Sequence, residues 1–374
     1  MKTITSASRG SPYRVLTALL PLLATGIAGR VEAQLQAEVG IPSSNRARLA
    51  VPGPTATDVR ISSEPGVVLA GTLYLPAGHS KGPYPLAVLI EGNGPNKRGG
   101  FSEIIKRLSA DGIAALEYDK RGIGQSTGTY EEDVERLTAD ARAAAAAMRH
   151  RSDIIGSRIA LVGHSGGGVI APSAAAADPD IATVVTLAGN VGDGLPYVRK
   201  GLYKQMMKMV VGGRDTLIGP ATDAAMALLQ ARVDSGDAAT IARLHANAVA
   251  RFEAAGFPRA QAEQALAMID VPEAWGARKL RSASDLRALH IPVLAIYGTT
   301  DMLVDDAPAA RAALASNPGA RVVMLDGLGH SFQEGAVTGA SDEVSRLGPY
   351  LGSPRLVAVV GDWLRDTLYS QRGR

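Results

Sequence analysis

The run Arg158-Ile159-Ala160-Leu161-Val162-Gly163-His164-Ser165-Gly166-Gly167-Gly168 places a serine where it can become a nucleophile. A β-branched segment leads straight into Gly-His-Ser-Gly-Gly and then into an alanine-rich helical pattern. A G-x-S-x-G turn between a strand and a helix strains the serine backbone, so that Oγ projects above the strand's C-terminal end. Gly163 and Gly167, two before and two after the serine, are the small residues such a turn needs where strand and helix come close.

A serine hydroxyl is barely ionised at neutral pH and requires a base. Of the six histidines, His79 precedes the apolar runs, His150 ends a helical stretch, and His245 lies in a long helical region. His164 is the x residue of the elbow, with its side chain expected to point away from the serine's face, and His290 stands at the wrong end of a strand. His330, in Gly327-Leu328-Gly329-His330-Ser331, follows the last apolar run. It therefore sits at a strand's C-terminal edge, where reactive groups collect in open α/β sheets. The third member should orient the imidazole. Asp301, in Gly298-Thr299-Thr300-Asp301 after the run Pro292 to Tyr297, has that place in chain order. Asp305 and Asp306 are alternatives, expected instead to open the next helix as caps. The developing oxyanion needs donors. The N–H of Gly166 supplies one, and the loop Glu91-Gly92-Asn93-Gly94-Pro95 supplies the other, from Asn93 first and Gly94 second.

Strands and helices must hold these groups. Val59 to Ile61 and Val67 to Leu75 read as an antiparallel edge hairpin turned at Glu64-Pro65-Gly66. Leu86–Ile90, Ile113–Tyr118, Ile159–Val162, Ile181–Leu187, Val293–Tyr297 and Arg321–Leu325 are short apolar runs typical of strands buried on both faces of a parallel sheet. Helical patterns at Phe101–Asp111 and Glu131–Arg149 alternate with them, which predicts an α/β, doubly wound, mostly parallel sheet. Residues 195–289 show only helical pattern and read as a cap inserted between the sixth and seventh strands. The core is expected at 58–194 and 290–374. On the cap's first helix Lys200, Lys204 and Lys208 form a basic stripe, which suits contact with a membrane surface. Met206, Met207 and Met209 suit an adaptable apolar wall for the acyl part of a substrate. Glu117 to Ser126, with its dense charges, is expected to be a charge-paired structural turn.

The 374 residues carry a formal charge of +3, a sequence pI near 9.1 and no cysteine. Without cysteine there is no disulfide, thiolate metal site or thiol nucleophile. Residues 1–33 hold Lys2, Arg9, Arg14, Arg30 and Glu32, an apolar run from Val15 to Ala28, and Val31-Glu32-Ala33 as a small-x-small end. They read as an export signal cleaved near Ala33, implying a secreted or periplasmic protein. Setting those residues aside leaves 35 of the 39 basic and 35 of the 36 acidic residues, a neutral chain from Gln34. Bulk charge then gives no reason to expect a nucleic-acid partner. Residues 34–57, polar and broken by Pro and Gly, read as a flexible leader.

Taken together, Gly163–Gly167, Asp119-Lys120-Arg121-Gly122-Ile123-Gly124-Gln125-Ser126, Gly298–Asp301 and Gly329-His330 resemble the α/β-hydrolase superfamily over about Val59 to Leu368. The branch is similar to serine aminopeptidases, monoacylglycerol lipases and acyl-thioester hydrolases. Leu328–Gln333 and Val357–Trp363 are similar to that branch's final loop and closing helix. Such proteins often carry an acid where Gly166 stands, and a Pro-polar-Asp-Arg run in place of Pro95-Asn96-Lys97-Arg98. The expectation is a serine carboxylesterase that acts on a small-molecule acyl substrate and needs no metal or organic cofactor. A peptidase or amidase on short peptides is the alternative within enzymes. A non-catalytic binding protein on the same scaffold is the alternative outside them.

Overall fold

Apolar runs that have water on neither side must be covered twice, and the alternation of side chains along each strand shows how. The computed structural model describes residues 53–78, 82–209, 215–269, 279–301, 303–335, 347–348 and 350–370. The expected export signal and nearly all of the leader lie outside them. Within the described residues, Leu86, Val88 and Ile90 enter one apolar cluster while Ala87 and Leu89 enter another. Ile159 and Leu161 divide from Ala160 and Val162 in the same way. The sheet is thus buried on both faces, as a period of two requires.

Eight strands form it: β1 (Thr55–Glu64), β2 (Val67–Leu75), β3 (Tyr84–Ile90), β4 (Ala114–Tyr118), β5 (Ile154–His164), β6 (Ile181–Leu187), β7 (Val293–Gly298) and β8 (Ala320–Leu325). Their order is β1-β2-β4-β3-β5-β6-β7-β8. The β1–β2 and β2–β4 pairs are antiparallel, and every pair from β4–β3 to β7–β8 is parallel. This is the edge hairpin and parallel sheet expected from the sequence, with two extensions. β1 starts at Thr55, inside the expected leader. β5 starts at Ile154, where a register shift pairs it with Tyr84 before the regular ladder begins at Ile159.

Two helices, α1 (Ser102–Ala110) and α2 (Val134–Arg149), follow β3 and β4 and cover opposite faces. Asp133 caps α2 by accepting the Arg136 N–H, satisfying one of the orphan donors at a helix start. α3 (Gly167–Ala176) leaves the serine turn directly. Between β6 and β7 the described residues form five α-helices and no strand, α4 (Gly194–Met209), α5 (Ile218–Val233), α6 (Ala238–Ala254), α7 (Arg259–Ile269) and α8 (Ser282–Ala288), with one isolated bridge between Asp193 and Arg281. α4 to α7 share a separate apolar core that includes Leu202, Ile218, Leu228, Phe252 and Leu266. The expected cap boundary at 289 moves inward, because Leu286 of α8 and the following Leu289 pack into the sheet's own cluster. Beyond β7, α9 (Ala307–Ala313) joins that same face, and α10 (Pro354–Ser370) lays Leu356, Val360, Leu364 and Leu368 on the other.

Candidate active site

β5 delivers Ser165 into a turn that a side chain two residues away would block. Ser165 has φ 54°, a left-handed conformation that costs a non-glycine residue energy and is held by its surroundings. Its N–H donates to the Leu187 carbonyl at the end of β6 (2.8 Å), and its carbonyl accepts the Gly168 N–H at the start of α3 (2.9 Å). A Cβ on Gly163 would lie 1.9 Å from the Gly167 carbonyl oxygen, and one on Gly167 would lie 2.1 Å from that of Ile90. Both positions exclude any other residue, as expected of an elbow this tight.

The loops after β7 and β8 bring the other two groups. His330 Nε2 lies 2.9 Å from Ser165 Oγ, and His330 Nδ1 lies 2.9 Å from Asp301 Oδ2. A carboxylate only accepts, so Nδ1 carries the proton and Nε2 is left free to accept the serine O–H. The Asp301 side chain has no exposed surface. Its other oxygen accepts the N–H groups of Leu303 (2.8 Å) and Val304 (2.9 Å). The two loops are also joined through backbone, since Thr299 and Thr300 donate to Leu325 and Leu328 (3.1 Å each). All three residues chosen from the sequence therefore meet in one hydrogen-bonded chain.

The two residues expected to serve an oxyanion meet where the loop after β3 crosses the start of α3. A Cβ on Gly166 would lie 3.0 Å from the Asn93 backbone nitrogen, and would clash outright with the Asn93 carboxamide oxygen at 1.6 Å. Glycine at 166 thus leaves its room to Asn93. The Gly94 N–H, the second choice from the sequence, is committed elsewhere: it donates to Glu132 Oε2 (2.8 Å). Asn93 and Gly166 are the pair that stand together.

Residues 74–344, some three-quarters of the chain, match the alpha/beta hydrolase family. The chain belongs to that family. An uncharacterized protein of Mycobacterium tuberculosis is 30% identical over 171 residues, 46% of this chain and 59% of that protein. Esterase EstD of Thermotoga maritima is 34% identical over 115 residues, 29% of this chain and 27% of EstD. The chain thus spans 59% of the first relative's own length and about a quarter of the second's. Two solved structures share the fold. The alpha/beta hydrolase GrgF from Penicillium sp. has a TM-score of 0.53 at 18% identity, covering 84% of this chain and 99% of that one. The Pyrococcus furiosus esterase Pf2001 has a TM-score of 0.51 at 15% identity, covering 84% of this chain and 91% of that one.

Around this hydrolase site the structure gives contacts that the sequence did not show. His164, the elbow's x residue, does not reach Ser165 but is engaged elsewhere. Its Nε2–H donates to the His330 carbonyl oxygen (2.8 Å), and its Nδ1 accepts from the Tyr350 hydroxyl. The two imidazole rings are 5.0 Å apart. Burial above all, together with the nearby His330, pushes the His164 pKa down to about 3, so the ring is a neutral strut under the histidine loop. Tyr350 lies 186 residues further along the chain, and no local pattern could have paired them.

On the cap side one expectation changes and the partners of others are seen. Asp306 is the residue before α9, yet its side chain makes no capping bond. It accepts the Val191 N–H (3.0 Å) and the Lys200 ammonium (2.9 Å) instead, because the start of the cap packs there. Asp305 pairs with Lys204. Two lysines of the basic stripe are therefore tied to the loop that carries Asp301, and the Lys208 side chain is outside the described residues. Of the three methionines expected to meet a substrate, Met206 is buried in the cap's own core and Met207, partly buried, packs against it. The side chain of Met209 lies outside the described residues. The charge-rich turn behaves as expected: Arg121 grips Asp140 with two nitrogens at 2.8 Å and also reaches Glu64, while Asp119 accepts from Arg98 and from the Gln125 N–H.

Proposed function

We propose that this protein is an exported serine esterase that hydrolyses carboxylic esters of small or medium acyl groups through an acyl-enzyme. The observation that carries the reading is the unbroken chain Ser165–His330–Asp301, with both links at 2.9 Å. Ser165 Oγ attacks the ester carbonyl as His330 Nε2 takes its proton. Asp301 holds the imidazole in the right tautomer and stabilises the imidazolium. The N–H groups of Asn93 and Gly166 receive the tetrahedral oxyanion. His330 returns the proton to the leaving alkoxide, then activates water to release the acid.

An ester rather than a peptide is favoured by the state of the nearby acids. Asp305 and Asp306, next along the loop from Asp301, are engaged by Lys204 and Lys200 and are not offered to a substrate α-amine. The esterase names of EstD and Pf2001 agree with this choice. Export rests on the character of residues 1–33, and N-terminal sequencing of the secreted protein should begin at Gln34. The activity is tested with p-nitrophenyl esters from acetate to dodecanoate beside aminoacyl-p-nitroanilides. Turnover of the shorter esters is expected, lost in Ser165→Ala. Efficient anilide cleavage with poor ester turnover would replace the reading by a peptidase.

A further inference from the structure

A lysine buried behind the oxyanion loop is the group that the mechanism leaves unexplained. Lys120 is only 5% exposed. Burying an ammonium is costly unless its protons are all used. Its Nζ donates to the carbonyl oxygens of Gly92 (2.5 Å) and Gly94 (3.0 Å), and Glu132 Oε1 lies 3.5 Å away. Its neighbour Arg121 serves the packing of α2 against β1, whereas Lys120 turns to the loop that must present a donor to the substrate. Lys120, Glu132, Glu91 and Gly166 line one small cavity, so the ammonium stands just behind the oxyanion site.

The Gly92 carbonyl and the Asn93 N–H belong to the same peptide unit. In a planar trans peptide the two point to opposite sides. Fixing the oxygen on Lys120 therefore aims the N–H away from Lys120, and the nitrogen that carries it lies beside Gly166, where an added Cβ would be 3.0 Å from it. Asn96 adds to the hold, donating from Nδ2 to Gly92 O (3.0 Å) and Asn93 O (2.9 Å). The carbonyls of Gly92, Asn93 and Gly94 are thus all held from behind by Lys120 or Asn96, and Glu132 holds the Gly94 N–H. Hydrogen bonds in series also polarise one another. A cation on the carbonyl end makes the N–H end a stronger donor, which counts most when the substrate oxygen becomes negative.

We propose that Lys120 is a positioning residue for the oxyanion hole, orienting and polarising the Gly92–Asn93 peptide so that the Asn93 N–H stabilises the tetrahedral intermediate. The proposal rests on the serine-esterase reading. It is tested in the full-length protein with Lys120→Met, which removes both charge and hydrogen bonds, and Lys120→Gln, which removes the charge but keeps a donor. Active-site titration sets the concentration of competent enzyme, so kcat is obtained per working site. Per-site kcat on a p-nitrophenyl ester should fall on the order of 100-fold in Lys120→Met and about tenfold in Lys120→Gln, with KM changed by less than about threefold. A trifluoromethyl ketone, which binds serine as an oxyanion, should lose affinity in step with kcat/KM. If Lys120→Met does not fold, Lys120→Gln and Asn96→Ala decide the matter, since both should lower per-site kcat.

A purely structural lysine would reduce the number of titratable sites and leave per-site kcat and ketone affinity intact, which would overturn the proposal. Ser165→Ala run in parallel keeps the two claims separate. If it is inactive while the Lys120 variants are normal, only the positioning role fails. If it retains turnover, the esterase mechanism fails with it.

Discussion

Around Ser165 the sheet fixes each candidate catalytic group more than once, whereas the cap from α4 to α7 is built around an apolar core of its own. Asp301 accepts two backbone N–H groups besides His330, and the His330 carbonyl rests on His164, itself held by Tyr350. Lys120 and Asn96 hold the loop after β3. The cap reaches the same neighbourhood through Lys200 on the buried Asp306 and Lys204 on the exposed Asp305. An exposed pair such as Lys204–Asp305 contributes little and weakens in salt, and Lys200 itself is half exposed at the rim of Asp306. Rate should depend on the sheet half, and choice of substrate on the cap half.

Variants can break this division, starting with the groups that react. Ser165→Ala or His330→Ala should lower kcat by roughly 10⁴- to 10⁶-fold, read by ester turnover. Asp301→Asn should cost about 10⁴-fold while the protein stays folded, because the amide favours the wrong imidazole tautomer. If either loss is tenfold or less, the sheet half does not hold the chemistry.

The strut beneath the histidine is expected to matter less. His164→Ala should lower kcat roughly 10- to 100-fold by letting the His330 loop drift, and Tyr350→Phe should lower it by a smaller factor. His164 also has a signature in stability. The folded ring resists protonation down to about pH 3, while the unfolded ring accepts a proton near pH 6.5. Between these values the unfolded state binds more protons, so the stabilising contribution is complete above about pH 6.5 and is lost as pH falls. Thermal melts of His164→Gln should show a shallower decline over that window than those of the parent.

The cap ties should matter least to rate. Lys200→Met combined with Lys204→Met should leave kcat on a short ester within about threefold. It should shift KM by a factor of about 2–5, with acyl chains of different length affected unequally. Raising salt should move the parent toward the double variant and leave the variant unchanged. A large fall in kcat for the short ester would mean that the cap takes part in catalysis.

What could be read from the sequence follows the same boundary. The strands were legible because Val/Ile/Leu runs such as Leu86–Ile90 and Ile181–Leu187 are buried on both faces. Ser165, His330 and Asp301 were legible because each stands at the C-terminal end of such a run, in an order that the elbow fixes. Ile154, the true start of β5, was hidden by the polar, irregular segment Gly156-Ser157-Arg158 that follows it. His164–Tyr350 and Lys120–Gly92 are contacts between distant parts of the chain, set by tertiary packing and without a local period. The burial of Met206 was hidden for a related reason. Helical spacing showed that α4 has an apolar side, but not that α5 to α7 would supply a core for it.

The proposed activation of Ser165 by His330 can be read from intact mass after exposure to a fluorophosphonate probe, with the site located by peptide mapping. One adduct per chain, on Ser165, absent from Ser165→Ala and slowed at least a hundredfold in His330→Ala, is the expected result. An unlabelled protein, an adduct on another residue, or labelling at the parent rate in His330→Ala would contradict the account.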